Sequence, residues 1–130
     1  MDLDSYIECS IWASSCEERV DESGHPISFD ELEDCAGLSD SAKAIMQSEL
    51  SNFHARAEEI IDSKDWQEMG IELPSDSEIA HDFWLTRNGH GAGFWDRGMG
   101  ELGDRLTELA ESHGGRHLWL NEDTLEIEIN

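Results

Sequence analysis

Apolar residues in this chain fall mostly into helix-spaced sets, with one alternating set at the C-terminal end. In residues 2–16, Leu3, Ile7 and Ile11 recur at steps of four beside Tyr6 and Trp12, which favours a helix; Ile7, Cys9, Ile11 and Ala13 also alternate, which keeps a strand as the competing reading. Ser14 to Gly24 is acidic, with Val20 its one large apolar residue, and reads as a loop. Next, Ser28 and Glu31 have capping-box spacing, with Ile27 and Leu32 at the staple positions, so a short helix is expected to end at Gly37. The longest periodic run, Ala42, Ile45, Met46, Leu50, Phe53, Ala57, Ile60 and Ile61, predicts an amphipathic helix capped by Ser39 or Ser41.

After a connection over Ser63 to Leu73, with room for a short helical turn, Ser75 and Glu78 form a second capping-box pattern. The helix they start carries Ile79, Phe83 and Trp84 on one face and ends at Asn88-Gly89. A glycine loop follows, Gly89-His90-Gly91-Ala92-Gly93, and Phe94-Trp95 is expected to return the chain to apolar surroundings. Leu102, Leu106, Leu109 and Ala110 predict a further helix, stopped at Gly114-Gly115. Leu118 to Leu120 and the alternating Leu125, Ile127 and Ile129 predict a terminal hairpin turning at Asn121-Glu122-Asp123. The expected fold is a single α+β domain over residues 1–130, four to five helices packed against a small C-terminal antiparallel hairpin.

Charge changes the functional picture more than composition does. With 31 Asp and Glu against 8 Lys and Arg, the formal net charge is −23. A domain of this length is roughly 35 Å across, so its charge per unit length is of the order of duplex DNA's, about one per 1.7 Å. Direct nucleic-acid binding and adhesion to acidic membranes are disfavoured, whereas basic protein surfaces are attracted with salt-sensitive association. No apolar run reaches membrane-span length and the acidic start lacks signal-peptide character, so a cytoplasmic location is expected. Cys9, Cys16 and Cys35 match no disulfide or zinc spacing and read as reduced thiols. Only Lys43 and Lys64 are lysines, a shortage that also fits adaptation to high salt.

Candidate chemistry gathers in residues 87–98. Arg87, Asn88, His90 and Arg97 would offer positive charge and hydrogen bonds to a small anion, with Phe83, Trp84, Phe94 and Trp95 as aromatic anchors. The bland alternative is a tight interhelical loop whose arginines pair with Asp82, Asp96 or Asp104. Phosphate-binding glycine loops follow a strand and open a helix, whereas this one follows a helix. His113 and His117 straddle Gly114-Gly115 and no cysteine pair accompanies them, so no metal, cofactor or catalytic residue is assigned.

The run from Asp82 to Gly98, DFWLTRNGHGAGFWDRG, with Leu106-Thr107 and the opening Tyr6-Ile7-Glu8-Cys9 and Trp12, resembles a group of small acidic proteins encoded by bacteriophages and other mobile elements. The resemblance implies a viral or mobile-element origin, in the host cytoplasm, and transfers no activity. Two functions are therefore expected. One is an interaction protein, a DNA mimic or inhibitor that binds a basic nucleic-acid-handling or defence protein of the host. The other is a small-anion-binding or catalytic domain using residues 87–98, its acidity reflecting salt adaptation.

Overall fold

A computed structural model describes all 130 residues. Four helices are present, α1 (Leu3–Ala13), α2 (Asp40–Asp62), α3 (Asp76–Arg87) and α4 (Gly100–Ser112), with strands β1 (Ser15–Val20), β2 (Pro26–Ser28), β3 (Leu118–Asn121) and β4 (Glu126–Ile129). The architecture is α+β, and β3 and β4 form the C-terminal antiparallel hairpin. No helix is long and apolar enough to cross a membrane.

Local chemistry sets the helix boundaries. The Asp2 carboxylate accepts from the Ser5 amide and hydroxyl at 3.0 and 2.8 Å, which starts α1, and these bonds hold its pKa below the ordinary value. Of the two candidate caps of α2, Ser39 takes the role, accepting from the Ala42 amide at 3.1 Å. The capping box of α3 is complete: Ser75 Oγ accepts from the Glu78 amide and Glu78 Oε1 from the Ser75 amide. The Ser39 and Ser75 caps each stabilise their helix by about 1 kcal/mol. Left-handed Gly89 follows α3 and left-handed Gly114 follows α4, where a residue with a Cβ would be strained.

Two stretches differ from expectation. Residues 15–20 are a strand, not a loop, paired with β2 through Ser15–Ser28 and Cys16–Ile27 and irregular between Cys16 and Val20. Its burial pattern could not announce it, since within it only Cys16 is buried and Val20 is 57% exposed. The helix expected to end at Gly37 reduces to a 3-10 turn over Phe29–Glu31. Ser28 accepts from the Asp30 amide, no return bond from Glu31 closes a box, and Asp34 is drawn out to Arg19. Like charges at Asp30 and Asp34, four residues apart, work against continuing the helix. Ile27, expected as a staple, lies instead in β2.

The core is an aromatic ladder crossing the helices. Tyr6 of α1 stacks on Phe83 of α3 (ring centroids 5.3 Å apart), Phe83 on Phe53 of α2 (4.0 Å), and Phe53 on Phe94 beyond the glycine loop (5.7 Å). All four rings are fully buried, each contributing about 1.5–3 kcal/mol relative to exposure. Trp66 anchors the α2–α3 connection, its indole N–H donating to the Ile60 carbonyl at 3.2 Å. Leu118, Leu120 and Ile127 bring the hairpin onto this core, whereas Leu125 has positive φ and belongs to the turn rather than to β4. The outer edge of β4 is covered by residues 36–39. On β3 the outward amide of Leu120 donates to the Glu18 carboxylate at 2.6 Å.

Candidate functional site

Arg87 leaves the last turn of α3 toward the interior, where its side chain has no exposed surface. Nη1 donates to Tyr6 Oη and Glu49 Oε1, both at 3.0 Å, Nε to the Gly114 carbonyl at 2.8 Å and Nη2 to the His113 carbonyl at 3.3 Å. The guanidinium also lies 4.8 Å from the Phe83 ring centroid. Four of its five N–H donors are used inside the protein. Glu49 accepts from Arg116 as well, so two guanidinium groups share one carboxylate. Burial pushes the Glu49 pKa up, but the bonds from Arg116 and Arg87 outweigh it and hold the group below its ordinary value. Burial raises the Tyr6 hydroxyl to about 12, and burial with Arg87 nearby lowers His113.

Arg97 lies elsewhere. Its guanidinium forms a fork onto Asp82 and also bonds Glu78 one turn earlier on α3, and the Asp82 bonds raise its pKa. His90 is exposed on the loop, and half-buried Asn88 ties the chain together, donating to the Trp84 carbonyl at 2.9 Å and accepting from the Arg116 amide at 2.8 Å. The expected gathering of Arg87, His90 and Arg97 around one anion does not form, because Arg87 is interior while His90 and Arg97 line different clefts. The glycine loop is shaped by packing at Gly93, whose φ is 155° and whose missing Cβ leaves space for Thr86 Oγ1. That hydroxyl accepts from the Phe94 amide at 3.3 Å. Of the expected anchors, Phe83, Trp84 and Phe94 are buried, but Trp95 is 53% exposed. Consecutive residues of the 3-10 turn Phe94–Asp96 point about 120° apart, so only one of the pair reaches the core.

The same economy runs through the other cations. Arg19 pairs with Asp34 and Glu122, and Lys64 with Glu101. Arg19, Lys64, Arg87, Arg97 and Arg116 are thus tied to carboxylates of the protein itself, leaving Lys43, Arg56 and Arg105 outside ion pairs against most of the 31 acids. The exposed surface carries runs of uncompensated carboxylate, as at Asp21, Glu22, Asp30, Glu31 and Glu33. Two of the three free thiols are held unreactive: Cys9 is buried, which together with the Asp82 charge raises it to about 12, and burial raises Cys16.

A cleft of about 220 Å³ between α1, the end of α3 and the start of β3 brings Asn88 and His90 together with Arg116 and His117. The sequence signal for Arg116 was weak, a single arginine after two glycines. Glu49 and Arg87 were more legible, since each stands inside the apolar stripe of its own helix, Glu49 between Met46 and Phe53 and Arg87 one turn beyond Phe83. Comparison with known proteins returns no match to any family model, curated protein or solved structure.

Proposed function

We propose that this protein is an interaction factor that presents a DNA-like density of negative charge to the basic surface of a nucleic-acid-handling or defence protein in the host cytoplasm. The observation that carries the reading is how few cations are left free: five of the eight are tied to the protein's own carboxylates, against 31 acids. Four of its six arginines are engaged in this way, Arg87 with a fully buried side chain, so little free positive charge offsets the exposed acids. Carboxylates one helical turn apart on α2, Glu58 and Asp62, are both exposed and stand about 5–6 Å apart, close to the spacing of backbone phosphates.

The test is competition. Purified basic nucleic-acid-binding proteins from a bacterial host, immobilised at low salt, are expected to retain the protein and to release it when duplex DNA is added or salt is raised. Failure of every such protein to retain it, or retention that DNA does not compete, overturns the proposal.

A further inference from the structure

The cleft beside the glycine loop is chemically unlike the rest of the surface. Its walls include Arg116, His90, His117 and Asn88 with one carboxylate, Glu17, in a protein of net charge −23. Arg116 is held rigidly: Glu49 accepts from Nε and Nη2 at 2.8–3.2 Å, and its backbone amide is fixed by Asn88, while Nη1 donates to no protein group. Behind it the Arg87–Glu49–Arg116 triad has two guanidinium charges on one carboxylate, a local positive surplus. A separate observation comes from the base of the cleft. Trp84 lines it and is 1% exposed, yet its indole N–H is buried without an acceptor.

We infer that this cleft binds a small oxyanion, a phosphate or carboxylate group that accepts from the free Nη1 of Arg116 and lies against His90 and His117, with Trp84 in the wall beside it. The site stands apart from the acidic surface and does not depend on it. It differs from a glycine-loop site in its cation, since Arg116 takes the part that buried Arg87 cannot.

Indole resonances of the isotopically labelled protein report on it directly, five in number with Trp84 assigned through Trp84→Phe. Titration with inorganic phosphate, and separately with acetate, is expected to move the Trp84 resonance saturably, whereas sodium chloride at matched ionic strength leaves it in place; the tighter of the two ions identifies the ligand class. His90→Ala and His117→Ala, both at exposed positions, are expected to weaken that binding about three- to tenfold each without disturbing the core resonances. A Trp84 resonance that stays put up to tens of millimolar ion, that follows chloride equally, or whose titration in both histidine variants matches the wild type overturns the inference.

Discussion

Glu49 of α2 ties two other segments to its helix through a single carboxylate, with Arg87 of α3 on one side and Arg116 before β3 on the other. Replacing it by Gln keeps the shape and removes the charge, leaving the buried Arg87 guanidinium uncompensated. Glu49→Gln is expected to destabilise the protein by about 2–4 kcal/mol at neutral pH, measured by denaturant unfolding. The pH dependence follows from the lowered pKa. In the unfolded chain a glutamate titrates near about 4.3, and in the fold Glu49 titrates lower. Its contribution is therefore fully present above the unfolded value and is lost as pH falls through the folded one. The stability gap between wild type and variant should accordingly close on acidification, and a gap that is constant down to the acid limit would show that the charge of Glu49 is not what matters.

Among elements, the glycine loop offers the sharpest contrast between shape and sequence. At Gly93 an added Cβ would collide with Thr86 Oγ1 in a backbone region that L-residues rarely adopt, whereas at Gly91 it would meet nothing. Gly93→Ala is expected to lower stability by about 1–3 kcal/mol and Gly91→Ala to leave it within about 0.5 kcal/mol, both read from thermal unfolding. Equal effects at the two positions would mean that the loop is not fixed by this contact. What the sequence made legible follows the same division. α2, α3, α4 and the terminal hairpin were readable because caps and periodicity are local, and Ser75 with Glu78 or Gly114 after α4 need no distant partner. β1 was not, because Ser15–Val20 becomes a strand only by pairing with β2 and lying beside β3. The candidate site was half legible for a related reason. His90 and Asn88 were visible in the motif, but which arginine joins them depends on packing between segments far apart in the chain.

Over the whole molecule, self-repulsion sets the response to salt. The net charge of −23 acts over a screening length that shortens from about 10 Å at 0.1 M to about 3 Å at 1 M salt. The melting temperature is expected to rise across that range, and a flat or falling one would overturn the premise that repulsion dominates. The same curves separate a mimic of nucleic acid, folded at 0.1 M, from a salt-adapted protein that unfolds there and needs molar salt. One small contact has a wider consequence. The Glu18 carboxylate that occupies the free amide of Leu120 closes a sheet edge that a second copy of the chain could otherwise extend strand upon strand. Colloidal repulsion keeps copies apart at long range, and this carboxylate refuses them at contact. Glu18→Ala strips away the second safeguard alone, and the variant is expected to self-associate more than the wild type once molar salt has screened the first, measured by light scattering; equal scattering would show that the edge is closed by other means.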